Sequence, residues 1–101
     1  MPLYISYDYY YYYWKGDGIV FYGYTLLRWN EQERNNLMKQ LSKELNIPIG
    51  RTNNDGISPY IEQEGGHVNI RRITHLPHDK ERELIKKADK VYNEYKKIVE
   101  Q

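Results

Sequence analysis

The chain of 101 residues contains no cysteine, which excludes disulfides, thiolate metal sites and cysteine nucleophiles. It also lacks a charge surplus: 15 basic residues stand against 14 acidic ones. The balance holds locally. Asp8 and Asp17 offset Lys15 and Arg28 over residues 1–29, and Asp55, Glu62 and Glu64 offset Arg51, Arg71 and Arg72 over residues 46–77. Nucleic-acid binders usually carry a basic excess because phosphate neutralisation supplies much of their affinity, so only a local patch could serve here. No apolar run approaches the roughly 20 residues of a membrane helix, and no membrane partner is expected. Met1-Pro2 leads straight into a strand pattern, so no secretory signal is expected and a cytoplasmic location fits. No glycine-rich turn opens a helix after a strand, which leaves phosphate cradling without support. Nothing calls for a cofactor.

Aromatic residues are what the chain has in plenty. Nine of its twelve tyrosines and one of its two tryptophans fall between Leu3 and Leu27. Tyrosine, isoleucine and valine suit a pleated surface, and Gly16-Asp17-Gly18 tolerates the positive φ of a tight hairpin. The expected strands are Leu3 to Trp14 and Ile19 to Leu27. A two-residue loop at Gly16-Asp17 pairs Trp14 with Ile19, Tyr12 with Phe21, Tyr10 with Gly23 and Asp8 with Thr25. Side chains alternate across a strand, so Leu3, Ile5, Tyr7, Tyr9, Tyr11, Tyr13, Val20, Tyr22, Tyr24 and Leu26 share an uncharged core face. The opposite face takes Ser6, Asp8, Tyr10, Tyr12, Trp14, Phe21 and Thr25.

Asn30 and Glu33 form a capping-box pair, and Leu37, Met38, Leu41 and Leu45 follow at helical spacing until Asn46 and Pro48 close the helix. Residues 46–58 read as a connection or a short strand at Ile47 to Arg51, with a turn at Asn53-Asn54-Asp55-Gly56. Tyr60 to Gln63, a Gly65-Gly66 turn and His67 to Ile73 make a second hairpin. Pairing Glu64 with His67 puts Ile61, Val68 and Ile70 on one face, and Tyr60, Glu62, Glu64, His67, Asn69, Arg71 and Ile73 on the other. A last helix opens at Pro77-His78-Asp79 and runs to Val99, with an apolar stripe of Leu84, Ile85, Ala88, Val91, Tyr92, Tyr95, Ile98 and Val99.

The expected fold is a single α+β domain spanning residues 1–101. It is a two-layer sandwich of order ββαββα, with a four-stranded, mainly antiparallel sheet carrying both helices on one face. Function is then sought on the other face. Tyr10, Tyr12, Trp14, Phe21, Tyr60 and Arg71 are the candidate binding residues, beside Lys15 and Arg72. Such a surface could stack single-stranded nucleic acid, or bury itself against a protein partner or a second copy in a homodimer. The reading is therefore a small intracellular binding protein, non-enzymatic and homodimeric.

Asp8, Glu62, Glu64 and His67 are the residues that could hold a divalent metal and activate water. Cross-strand pairing such as Glu62 with Arg71 is the plainer use of them. None of His67, His75 and His78 shows the i,i+4 spacing of a helical zinc pair. Phe21-Tyr22-Gly23-Tyr24-Thr25, followed by Arg28 and Arg34, resembles the second half of the motif in GIY-YIG nucleases. The first half of that motif is absent. The resemblance, over about a third of the chain, implies a metal-dependent nuclease or phosphodiesterase. Tyr22 would be the second tyrosine, Arg34 the catalytic arginine and Glu62 the metal-holding glutamate, with His67 as a further catalytic candidate.

Overall fold

A computed structural model describes the backbone of residues 3–5, 9–14, 18–51 and 56–100, and side chains from residue 21 onward apart from 52–55, 74 and 101. The strands are β1 (Leu3–Ile5), β2 (Tyr9–Trp14), β3 (Gly18–Thr25), β4 (Tyr60–Glu64) and β5 (His67–Arg71); the helices are α1 (Glu31–Leu45) and α2 (His78–Val99). A 3₁₀ turn at Ile73–His75 leads into α2.

The expected four-stranded sheet is not what forms. The sheet has the order β1-β2-β3-β5-β4, and the helices pack on its three-stranded antiparallel part, β3-β5-β4. The broad α+β class stands. The difference arises in the stretch read as one strand from Leu3 to Trp14. That run is far longer than a usual strand of about 5–6 residues. It is divided, and β1 turns back to pair with β2, Leu3 opposite Tyr12 and Ile5 opposite Tyr10. The reversal moves Leu3 and Ile5 off the rows of Tyr22 and Tyr24 and onto the rows of Phe21 and Gly23. Asp8 and the Gly16-Asp17 loop lie outside the described residues.

Between β2 and β3 the expected pairs Tyr12 with Phe21 and Tyr10 with Gly23 form. Trp14 is displaced. A bulge between Tyr12 and Tyr13 shifts the register, so Trp14 meets Gly18 rather than Ile19; an extra residue in one strand has this effect on every pair beyond it. The second hairpin has the expected register, with Glu64 opposite His67 and Tyr60 opposite Arg71. It ends sooner than expected, because Arg72 takes a left-handed conformation (φ 64°). Alternation stops there, and Ile73 turns into the core instead of onto the outer face, with no exposed surface. Residues 47–51 contribute a single parallel bridge, Ile49 to Ile61, rather than a strand.

Both helices begin and end where their residues direct. Asn30 accepts from the Glu33 backbone N–H at 2.8 Å while Glu33 accepts from the Asn30 N–H at 3.0 Å. Asn46 closes α1 in the left-handed conformation that asparagine tolerates. The core joins Tyr22, Tyr24 and Leu26 of the sheet side and Val68, Ile70 and Ile61 to Leu37, Met38 and Leu41 of α1 and Ala88 and Tyr92 of α2. Tyr24 stacks on Tyr92 at 4.3 Å between ring centroids, and Trp29 also stacks on Tyr92, at 6.2 Å. Ile98, expected in the apolar stripe of α2, is left 68% exposed.

Candidate functional site

The sheet face away from the helices is organised by backbone register. One row crosses all five strands: Leu3, Tyr12, Phe21, Arg71 and Tyr60. Strands about 4.8 Å apart make such a row roughly 19 Å long. Four of the six expected binding residues, Tyr12, Phe21, Arg71 and Tyr60, therefore share one line. Tyr10 falls in the adjacent row with Gly23, Asn69 and Glu62. Trp14, two residues beyond Tyr12 along β2, belongs to neither row and lies opposite Gly18.

The described part of the line is built from guanidinium groups laid on aromatic rings. Arg71 lies over Phe21, 4.5 Å from the ring centroid. Tyr60 has two such neighbours, Arg72 at 5.1 Å and Arg51 at 5.8 Å. The quadrupole of each ring attracts the cation above it. Tyr60 is buried yet stands outside the main core cluster, so its ring serves as a seat for arginine. A hydrogen bond with Tyr60, more than any other influence, raises the Arg51 pKa above its ordinary value. Arg51 is a residue that sequence reasoning missed. The only available signal was that residues 47–51 could run beside β4, which the Ile49 to Ile61 bridge and the Gly50 N–H to Ile61 carbonyl bond (2.7 Å) bring about.

Carboxylates hold Arg71 in place. Its Nε donates to Glu62 Oε1 at 2.5 Å, and its Nη2 reaches Glu64 Oε2 at 3.5 Å. The first pair is partly shielded, with side chains 29% and 28% exposed; Glu64 is 73% exposed. The centre of the face is closed: Asn69 is only 2% exposed. Thr25, His67 and Glu64 form the other end. His67 and Arg71 are four positions apart along β5, or about 13 Å.

The described residues proposed for metal chemistry, Glu62, Glu64 and His67, do not form a metal-holding group. Among the described residues no group of three or more histidines and carboxylates could hold a metal ion. Glu62 and Glu64 bracket Arg71 instead, and Asp8 lies outside the described residues. Nor does the structure bring Tyr22, Arg34, Glu62 and His67 together. Tyr22 is buried on the helix side, where its hydroxyl donates to Asp89 Oδ1 at 2.7 Å. Arg34 donates from Nη1 to the carbonyls of Leu26 and Trp29, fastening the start of α1 to the end of β3. Glu62 is across the sheet. His75 is exposed in the 3₁₀ turn, and His78 is the first residue of α2.

Asp89 is a second polar centre that the sequence did not announce. Tyr24 also donates to its Oδ1, at 2.9 Å. Burial first, and then the neighbouring Asp89 carboxylate, hold the Tyr24 hydroxyl far above the usual phenol range. Two hydroxyls that alternate out of one strand meet a carboxylate from α2, and no local pattern marks that meeting.

The fold and its outer face define a small α+β domain with an arginine-on-aromatic line along one sheet row. Comparison with protein-family models, with curated proteins and with solved structures finds no match. No helix among the described residues is long and apolar enough to cross a membrane.

Proposed function

We propose that this chain is a binding protein whose ligand is single-stranded nucleic acid, taken along the row of Tyr12, Phe21, Arg71 and Tyr60. The observation that carries the reading is the set of three guanidinium groups, those of Arg51, Arg71 and Arg72, lying over two aromatic rings on this face. Unstacked bases are recognised on aromatic rings and on arginine planes. Rings below hold the cations at fixed positions, so less freedom is lost when a strand binds. Glu62 and Glu64 offset Arg71, so stacking rather than bulk charge supplies most of the affinity. Duplex is disfavoured, because its bases are not available to stack.

The test is fluorescence anisotropy with labelled single-stranded and duplex oligonucleotides of equal length. Single strands should bind more tightly. Arg72→Ala and Phe21→Ala should each weaken binding about tenfold, in line with stacking contributions of about 1–3 kcal/mol per base. Unchanged affinity in the Phe21→Ala, Arg51→Ala, Arg72→Ala triple variant, or no binding at any salt below physiological, would remove this reading.

A further inference from the structure

The opposite layer of the molecule carries a second surface. Along α2, Leu84, Lys87, Val91, Glu94 and Ile98 follow one another at steps of three and four residues. They therefore form a single stripe, offset from the stripe of Ala88 and Tyr92 that enters the core. An open groove between the helices is lined by Gln40 and Glu44 of α1 and, on α2, by Lys87, Lys90, Val91, Glu94, Tyr95 and Ile98, so its two acidic and two basic side chains balance. Lys87 also borders, with Lys80 and Glu83, a neighbouring open depression of about 250 Å³ lined otherwise by Leu45, Ile47, Pro59, Leu76 and Leu84. Groove and depression thus run into each other along one flank of α2.

The order of groups on this flank is self-complementary. Leu84 and Ile98 stand seven residues to either side of Val91, so each is about 10 Å from it along the helix. Leu84 lies in the wall of the depression, and Ile98 is a projecting apolar side chain, 68% exposed. Lys87, which also pairs with Glu83 at 3.4 Å, and Glu94 lie on opposite sides of Val91 with opposite charge. A two-fold axis at Val91 sets two copies of α2 antiparallel. It brings Ile98 of each copy to the depression of the other, and Lys87 of each to Glu94 of the other. A two-fold interface requires one patch to complement itself in this way. An apolar depression and a projecting side chain seven residues to either side of Val91, with opposite charges four residues before it and three after it, fit a second copy of the same surface.

We infer that the groove between α1 and α2 is a homodimer interface, with Ile98 of each copy seated in the depression beside Leu84 of the other. The two sheet faces then point outward and remain accessible. The nucleic-acid reading and this one are independent, since they use opposite layers of the molecule.

Sedimentation equilibrium of the full chain tests the inference. The wild type should have twice the monomer mass. Ile98→Glu should be monomeric with unchanged helical circular dichroism, because this side chain is already exposed. Lys87→Glu and Glu94→Lys should each weaken the dimer about tenfold, and the double reversal should restore it. Val91→Cys, the only cysteine in that variant, should cross-link two copies on oxidation, since a disulfide needs Cα atoms within about 7 Å. A monomeric wild type would overturn the interface. So would a dimer that persists in Ile98→Glu, or a double reversal that fails to recover association.

Discussion

Asp89 shows how much one residue can decide. It accepts from Tyr22 and Tyr24, which lie 67 and 65 positions away in the chain. Strand alternation is enough to send both tyrosines inward, but it cannot say where their hydroxyls find an acceptor. Asp89→Ala leaves two buried donors without that partner, and a loss of about 2 kcal/mol is expected in urea unfolding. The same centre gives the protein an alkaline limit. The folded-state pKa of Tyr24 is raised above its ordinary value of 10.0, so the folded chain keeps a proton that the unfolded chain releases. The stability contributed by the neutral hydroxyl is complete below about pH 10 and is lost progressively as pH rises beyond it. Tyr24→Phe should flatten the fall in melting temperature between pH 9.5 and 11, on the order of the Tyr24 share of that slope.

At the scale of elements, helix ends and turns carry the fold. The Asn30–Glu33 box was readable from two residues three apart, and Asn30→Ala should cost about 1 kcal/mol of stability by thermal unfolding. The turn between β4 and β5 is more constrained. Gly66 has φ +84°, and a Cβ there would stand 2.7 Å from Leu27 Cδ2. Its carbonyl also accepts the Leu26 N–H at 2.9 Å, which ties this turn to the end of β3. Leu27 is an exposed side chain whose tip can move aside, so the backbone conformation dominates the cost. Gly66→Ala should destabilise by about 1–2 kcal/mol, whereas an alanine at neighbouring exposed Glu64 should cost under about 0.5 kcal/mol. Denaturant midpoints for the two variants distinguish them.

For the whole molecule, a two-layer arrangement separates two surfaces. Helices bury one sheet face and expose their own groove, while the other sheet face holds the arginine-on-aromatic row. With three arginines at that row, oligonucleotide affinity should fall with salt at a log–log slope no steeper than about −2, using roughly 0.7 per phosphate contact on a single strand. A steeper slope measured by anisotropy would place the contact on the lysine-rich helices instead. If the helical interface forms, an oligonucleotide long enough to reach both outward faces should bind more tightly than one that fills a single face, and Ile98→Glu should remove that gain.

The sequence by itself determined the elements with strong local rules. Capping residues, helical spacing and glycine turns define α1, α2 and the β4–β5 hairpin, because neighbours within a few positions enforce them. Parity also identified Tyr22 and Tyr24 as inward, and Phe21, Arg71 and Tyr60 as outward. Tertiary structure alone decided the rest. Ser6 and Asp8 stand between β1 and β2, but in an alternating strand pattern they read equally well as its polar face, so the fold-back of β1 and the bulge before Tyr13 were hidden. Arg72 leaves the strand through a left-handed conformation that its identity does not demand, and that turns Ile73 inward. Arg51 reaches Tyr60 only because the connection from α1 runs beside β4. Each of these depends on contacts between residues distant in the chain, where pairing and burial outweigh any local preference.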